Sequence, residues 1–408
     1  MNILYFSFYF EPDLCAGSFR NTPLVEALAA QLSAGDHIHV VTTQPNRYKT
    51  FQVQALFHEE KRTESGCRIT IDRVAIPTHT SGFVDQARSF VAYYYKALRQ
   101  VRRNRYDLVF ASSSRLFTAF LGARVARSRR IPLSLDIRDL FRETILEILK
   151  NPVGRWGLDF VLRGIETYTF GYARHINLVS EGFRNYFDSY KQAHYTYHTN
   201  GIDDAFLAQP AHTNRDPSQP LTLVYAGNIG EGQGLHKIIP QAARRLGNAY
   251  RFIVVGDGGA MSKLLEAMKT EVVFNVEVRN PVSRNELIAL YQRADYLFVH
   301  LNDLEAFKRV LPSKLFEYGA TSKPIVAGVA GYARSFLLKY VDNCLVFNPG
   351  DVDSMVEQLR AQTPVYRSRD EFREQFQRKT IMRELAKTVL QTAEKRSETE
   401  NPSLVLSQ

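Results

Sequence analysis

The sequence predicts an α/β protein made of two doubly wound, parallel-sheet domains facing each other across a cleft. Three observations carry this. At 408 residues the chain is too long for one ordinary core, and two cores are the natural expectation. Its apolar runs are short, continuous and rich in valine and isoleucine, as strands buried on both faces must be. These runs alternate with helical patterns in two series, separated by one polar, proline-punctuated stretch.

In the first series Ile3–Phe8 and Ile38–Thr42 read as buried strands flanking a helix over Thr22–Leu32. Leu108–Ala111 and Leu133–Asp136 repeat the strand signal, with a crossover helix at Leu116–Ser128, and Ile176–Val179 is a last short strand. Gln209–Pro220, with Pro210, Pro217 and Pro220, is the expected linker, so the first domain is expected over 1–208. The second series then runs as strand Leu221–Ala226, helix Leu235–Leu246, strand Phe252–Val255 and helix Ala260–Lys269. It continues as strand Val272–Val276, helix Asn285–Arg293, strand Tyr296–Leu301, helix Ser313–Gly319 and strand Pro324–Ala327, for a second domain over 221–365. Asp370–Glu394 is helical and charged, and 396–408 is a polar tail expected to be frayed. Ligands of such sheets bind at the carboxyl ends of the strands, so the cleft is the expected site.

With 45% hydrophobic and 23% charged residues the composition is that of a globular protein, which excludes collagen-like, disulfide-dense and disordered classes. The three cysteines, Cys15, Cys67 and Cys344, are widely spaced and form no CxxC pair, which argues against a structural zinc site and fits a reducing cytosol. The start of the chain lacks a basic leader and a small-residue cleavage site, so it does not read as a signal peptide. No stretch reaches the roughly 18 apolar residues of a membrane span. The formal charge of +10 points to an anionic partner. Arginines cluster at Arg99, Arg102, Arg103 and Arg105 and at Arg124, Arg127, Arg129 and Arg130. Phe90–Arg99 sets aromatics before the first cluster, which suits a membrane interface or, more simply, a core-facing helix with a basic end.

The strongest constellation is Leu311-Pro312-Ser313-Lys314-Leu315-Phe316-Glu317-Tyr318-Gly319. Pro312 and Ser313 are helix-start residues, with Ser313 placed to cap. Lys314 then sits at the positive end of the helix dipole, which makes sense with an anion bound there. Glu317 shares a face with Ser313 and is placed to accept from ribose hydroxyls. Periodicity alone leaves open that Lys314 is solvated and Glu317 merely complements the dipole.

A second feature follows a strand and precedes a helix: Gly227-Asn228-Ile229-Gly230-Glu231-Gly232-Gln233-Gly234. Its glycines let main chain approach a phosphate, or simply make a tight turn. It is neither GxGxxG from its first glycine nor a Walker A loop. A third loop, Glu11–Arg20, carries Gly17, expected opposite the second loop, and Arg20, placed to reach a phosphate, although an ordinary βα loop accounts for it equally well. Asp136, Arg138 and Asp139 cluster at a strand's carboxyl end, where function concentrates, although acid–arginine pairs of this kind are structural more often than not.

Taken together and in order, these landmarks resemble glycosyltransferase family 4, a GT-B fold of two Rossmann-like domains, over nearly the whole chain. They are Gly17 and Arg20, Asp136-Ile137-Arg138-Asp139, Asn200-Gly201-Ile202-Asp203, Tyr225-Ala226-Gly227-Asn228, Val255-Gly256-Asp257-Gly258, Ala294-Asp295 and Pro312–Tyr318. The branch resembled contains O-antigen transferases of the N-acetylfucosaminyl type. The resemblance implies that Glu317 binds the donor ribose and that Lys314 lies near the diphosphate. It also implies that Gly17, Gly227, Asn228, Gly230, Gly232 and Gly234 cradle that diphosphate with Ser313, and that Val278 and Pro281 line the base. Arg20, Asp136, Arg138 and Asp139 fall on the acceptor side, and the 370–394 helix crosses back to the first domain. Two positions depart from the family pattern. Arg309 stands where many members carry an acid, and Asn228 follows Gly227 where many carry arginine, leaving Lys237 as a distant substitute.

The implied activity is retaining transfer of a sugar from a nucleoside diphosphate donor, UDP-linked, to a lipid-linked glycan acceptor in surface polysaccharide (lipopolysaccharide, O-antigen) biosynthesis. Lys314, Glu317 and Arg309 are the catalytic candidates, with no cofactor, no metal and no nucleic acid expected. The expected location is cytoplasmic, peripheral to an anionic membrane face. A non-catalytic nucleotide-sugar-binding subunit and a sugar-nucleotide 2-epimerase of the same fold remain open on sequence grounds.

Overall fold

The computed structural model describes all residues except 14, 47–53, 78–82, 114–115, 150, 209–215 and 401–408, and leaves out the side chains of 83–86, 148 and 395–400. The chain divides into two compact units: Met1–Asn200 with the segment from Arg378 onward, and Gly201–Gln377.

The first unit holds β1 (Asn2–Phe6), β2 (His37–Thr43), β3 (His58–Arg62), β4 (Arg68–Val74), β5 (Leu108–Ser113), β6 (Leu133–Ile137), β7 (His175–Leu178) and β8 (His194–Thr196) in one sheet. Its order is β3-β4-β2-β1-β5-β6-β7-β8, with β3 antiparallel to β4 and every other pairing parallel. The helices are α1 (Ser18–Ala29), α2 (Phe83–Val101), α3 (Leu116–Arg129), α4 (Phe141–Ile148) and α5 (Pro152–Phe170). The chain builds outward from β1 in one direction and from β5 in the other. The loops after these two strands therefore flank the switch point, where ligands of such sheets bind.

In the second unit α6 (Asp204–Leu207) precedes β9 (Leu221–Asn228), α7 (Leu235–Leu246), β10 (Tyr250–Asp257), α8 (Met261–Thr270), β11 (Val276–Arg279) and α9 (Arg284–Arg293). Then come β12 (Tyr296–His300), α10 (Lys314–Gly319), β13 (Ile325–Gly328), α11 (Gly331–Tyr340), β14 (Cys344–Phe347), α12 (Val352–Ala361) and α13 (Asp370–Gln375). All pairings are parallel in the order β11-β10-β9-β12-β13-β14, so the switch lies between β9 and β12. Registered pairing across that switch is limited to Tyr296–Leu223 and Leu297–Val224. Beyond Leu297 the strands splay, and the Tyr318 hydroxyl fills the gap. It accepts from Ala226 N–H at 3.4 Å and donates to Phe298 C=O at 3.2 Å, replacing a ladder bond by a phenol.

The last helix, α14 (Arg378–Glu400), returns to the first unit. Its Met382, Leu385, Ala386 and Val389 join Leu24 and Leu28 of α1 and Ile3 and Val40 of the sheet in one core. The two crossings sit side by side. Arg378 Nε donates to Asn200 C=O at 3.0 Å, and Ile202 N–H donates to Phe376 C=O at 2.6 Å.

Several expectations shift. The unit boundary falls at Asn200 and Gly201, ahead of the 209–220 stretch, because Asn200-Gly201-Ile202-Asp203 is tied at each position: Gly201 takes φ 65°, and Asp203 caps α6 through Ala205 N–H. Residues 209–215 of the expected linker, and the tail from 401, lie outside the described residues. The expected 370–394 helix is two helices, broken where Ile202 pairs with Gln377. The expected strand Val272–Val276 is a turn followed by β11: Val272 takes φ 52°, and Asn275 Nδ2 caps the carbonyls of Ala243, Gly247 and Tyr250. The aromatic run on α2 is split between core and surface, with Tyr95 68% exposed. Phe90 and Tyr93 are buried, and Tyr93 donates to Val41 C=O at 2.7 Å.

Candidate functional site

The second unit gathers most of the expected donor-binding residues at the carboxyl edge of its sheet. β9 delivers Gly227 at φ 144°, a conformation for which glycine is suited. A Cβ built there would lie 1.8 Å from Lys314 Nζ and 2.4 Å from its Cε, so the lysine lies directly on the glycine main chain. The ammonium also stands 5.4 Å from the Tyr225 ring centroid. Tyr225 in turn donates to Asn228 C=O at 2.6 Å, which fixes the exit of β9.

The glycine loop is held from within and from the β12 side. Gln233 Oε1 accepts from Asn228 Nδ2 at 2.8 Å and from Gly230 N–H at 3.2 Å. Gly232 packs on the Phe307 ring, which a Cβ would meet at 2.7 Å. Gly234 takes φ 57° at the start of α7. Asn302 donates its main-chain N–H to Gly232 C=O at 2.8 Å and its amide to Glu231 C=O at 3.1 Å. Lys237, the distant substitute, bonds Asn302 Oδ1 at 3.0 Å. Burial pushes the His300 imidazole down to about 4. The neutral ring donates from Nδ1 to Gln233 C=O at 2.6 Å and accepts Gly350 N–H at Nε2, 2.9 Å away.

Glu317 lies one turn beyond Lys314, half-buried, and accepts from Tyr291 OH at 3.3 Å. Tyr291 meets Tyr318 edge-on at 5.3 Å and stacks on Phe206 at 5.8 Å. Arg309 ends the 3₁₀ turn Glu305–Arg309 that leads into α10, and is half-buried. Ser313 departs from its expected role: it is already helical, at φ −58° and ψ −27°, and its side chain makes no capping bond. Val278 and Pro281 are half-buried on β11 and the loop after it, with β10 between them and β9; Val278 packs partly on the core. Asn302, Tyr291 and Phe307 were not legible as site residues. Only the break in apolar pattern after His300 marks Asn302.

The first unit holds the remaining residues. Arg20 was expected to reach a phosphate, but it is 1% exposed and pairs bidentately with Asp136. Nε to Oδ2 and Nη2 to Oδ1 are each 2.8 Å, and the guanidinium also donates to the carbonyls of His198 and Thr199. Asp136 is fully buried and accepts from Asn177 as well. Burial raises its carboxyl, but Arg20, Arg138 and Asn177 outweigh that and hold it below the usual range. Both residues are thus spent on the architecture of β6 and α1.

Arg138 differs. Its Nε and Nη1 are buried and meet no hydrogen-bond partner among the described residues. Nη1 would lie 3.3 Å from a Cβ on Gly17, the residue that opens α1, so a guanidinium edge and a helix start share one corner. Burial lowers the Arg138 pKa against the pull of Asp136. Burial likewise pushes the neighbouring Asp139 carboxyl up to about 6, against bonds from Leu140 and Thr144.

A cation laid on a glycine turn at a switch point, with a carboxylate one helical turn on, is an arrangement for an anionic ligand that also carries hydroxyls. Comparison with known proteins gives this arrangement its family. A model of glycosyl transferases group 1 matches residues 211–379, and a glycosyl transferase 4-like domain matches residues 22–191. The chain belongs to the family 4-type glycosyltransferases. It is 23% identical over 383 residues to WcaI of Escherichia coli strain K12, named as a colanic acid biosynthesis glycosyl transferase, covering 88% of this chain and 91% of WcaI. Among solved structures, WaaG, a glycosyltransferase involved in lipopolysaccharide biosynthesis, aligns over 97% of this chain and 99% of its own at TM-score 0.61 and 16% identity. Anabaena HepE in complex with UDP-glucose aligns over 98% and 100% at TM-score 0.59 and 13% identity. These likenesses establish the GT-B fold for this glycosyltransferase. The Lys314–Glu317 helix and the glycine loop fall inside the group 1 match, and Arg138 and Asp139 inside the 4-like match.

Proposed function

We propose that this glycosyltransferase moves a sugar, with retention, from a UDP-linked donor to a lipid-linked glycan acceptor in surface polysaccharide biosynthesis. The observation that carries the reading is Lys314 laid over Gly227, with Glu317 one turn further along α10. Lys314 stabilises the leaving diphosphate and Arg309 supplies a second cation; the loop through Gly227, Asn228, Gly230, Gly232 and Gly234 brings main-chain amides to it. Glu317 accepts from the ribose hydroxyls, while Val278 and Pro281 flank the base. In the reaction the bond from the anomeric carbon to the diphosphate oxygen breaks and the acceptor oxygen takes its place on the same face. The acceptor proton passes to the departing phosphate oxygen. Arg138 and Asp139 belong to the acceptor side, with Arg20 and Asp136 holding them in position. The UDP and UDP-glucose complexes of HepE and the lipopolysaccharide and colanic acid assignments of WaaG and WcaI support donor and pathway class. A lipid-linked acceptor places the enzyme at the cytoplasmic face of a membrane, attached peripherally; no helix among the described residues is long and apolar enough to cross one.

The test is incubation with a panel of nucleotide sugars and membrane lipid extract, reading nucleoside diphosphate release. Release that needs one donor and the lipid supports the reading. Release without the lipid, or interconversion of the donor sugar, overturns the acceptor assignment.

A further inference from the structure

We propose that the outward face of α5, together with α3 and α2 beside it, is a docking surface for a membrane rich in anionic phospholipid. The inference deepens the lipid-linked acceptor reading above by naming the surface that meets the lipid.

The start of α5 is well determined: Asn151 accepts from Val153 N–H and Gly154 N–H, and Pro152 opens the helix. One side of the helix is anchored in the unit through Leu162, Glu166, Thr169 and Phe170, all buried. The other side is apolar and bare. Val153 is 80% exposed, Trp156 75% and Phe160 73%, at spacings of three and four residues that align them on one face. Isolated apolar side chains on a surface are ordinary, whereas an aligned row of large ones marks an interaction site. Gly157 and Gly164 add to this. A Cβ at either would meet nothing within 4 Å, so packing inside this chain does not require these mid-helix glycines, although each weakens the helix.

The charges around the row select the occupant. Both acids of α5 are already bonded: Asp159 to Arg142 at 2.7 Å and to Arg163 at 3.0 Å, and Glu166 to Arg142 at 2.9 Å. Exposed cations of these helices include Arg155 and Arg163 on α5, Arg124 on α3, beside Tyr94 and Tyr168, and Arg88 on α2. The three helices form one continuous surface, for Tyr94 of α2 stacks on Phe120 of α3 at 6.2 Å and Phe120 meets Tyr168 of α5 at 5.5 Å. Tryptophan and phenylalanine flanked by arginines match the boundary between headgroups and acyl chains, and the chain's net charge of +10 favours an anionic surface. A partner protein would be expected to answer arginines with fixed acids, and the same face of a second copy is itself basic.

The topology gives the docking a purpose. α5 leads into β7 and therefore runs against the strands, so its first half lies at the carboxyl edge of the sheet, the edge that carries Gly17, Arg138 and Asp139. Docking through Val153, Trp156 and Phe160 brings that edge down to the bilayer surface.

Trp156 is the only tryptophan of the chain, so its emission reports on this surface alone. The experiment titrates the full chain with vesicles of phosphatidylglycerol and phosphatidylcholine, and with phosphatidylcholine alone. The expected result is a blue shift and quenching by brominated lipid with the anionic vesicles, weaker in high salt. Phe160→Glu, which keeps the reporter and alters an exposed position, is expected to bind the vesicles at least roughly 10-fold more weakly with an unchanged thermal midpoint. No shift with anionic vesicles, or equal binding by Phe160→Glu, overturns the proposal. A blue shift that grows with protein concentration without vesicles also overturns it, because the face then belongs to a second copy. Vesicle binding needs neither donor nor acceptor, so its failure leaves the transferase reading standing, and absent turnover leaves the docking result standing.

Discussion

Lys314 rests on the main chain of Gly227, so closely that a Cβ on the glycine would fall 1.8 Å from the ammonium nitrogen. Gly227→Ala must therefore expel the lysine or distort β9, whose φ of 144° at this residue already disfavours a side chain. The expected outcome is a loss of roughly 100-fold in kcat/KM, similar to Lys314→Ala. The double variant is expected to be little worse than either single one, since both remove the same placed charge. Additive losses in steady-state kinetics would separate the two residues and count against the reading.

Glu317 and Tyr291 offer a graded pair. Removing the carboxylate charge in Glu317→Gln is expected to weaken donor binding by about 1.5–3 kcal/mol, as for a hydrogen bond to a charged group. Tyr291→Phe removes the 3.3 Å bond that orients it, together with the hydroxyl's bond to Tyr318, and is expected to cost about 1 kcal/mol or less of donor affinity. Calorimetric titration with a nucleoside diphosphate ranks the two, and an equal affinity for Glu317→Gln and the parent chain removes Glu317 from the donor site.

The Tyr318 hydroxyl stands in for the missing ladder between β9 and β12. Tyr318→Phe leaves Ala226 N–H and Phe298 C=O without that partner in a buried position. A stability loss of about 1–3 kcal/mol in urea unfolding is expected. Because Lys314 and Glu317 ride on the same short helix, kcat is expected to fall as well.

How much of this could be read beforehand depended on where each residue spends its bonds. β9 and α7 were legible because an apolar run ends in glycines and a helical period follows. The edge strands β3 and β11 were not, since they carry charges such as Glu277 and Arg279, which pair with each other and not with a core. Lys314, Glu317 and Gly227 were placed by their order in the chain, yet the contact between lysine and glycine is a tertiary fact. Arg20 shows the converse: in the sequence a guanidinium beside a glycine loop reads as a ligand group, and only the fold brings Asp136 to it across 116 residues. The exposed row on α5 is not distinguishable in the sequence because its period is that of any amphipathic helix, and only burial tells which face is bare.

The Arg20–Asp136 pair makes its own prediction. Both partners are buried, so Arg20→Ala strands a carboxylate out of water and is expected to cost about 3–5 kcal/mol of stability. Arg20→Lys keeps the charge but loses the bidentate geometry and is expected to fall between. Donor affinity per folded molecule is expected to stay near that of the parent chain; a selective loss of affinity at full stability would return Arg20 to the ligand.

Asp139 supplies a pH signature. Burial raises its carboxyl from 3.8 to about 6 in the folded chain. Between those values the folded state holds a proton that the unfolded state has released, so stability must fall as pH rises. The contribution is complete below about 3.8 and is lost through about 6. Asp139→Asn cannot ionise and is expected to flatten this part of the stability profile relative to the parent chain, as read from urea midpoints across the range. If the same carboxylate works on the acceptor side, the parent's turnover rises through the same pH interval and the variant's does not. A variant whose stability and turnover both follow the parent's profile would show that Asp139 titrates as an ordinary surface acid and takes no part in the site.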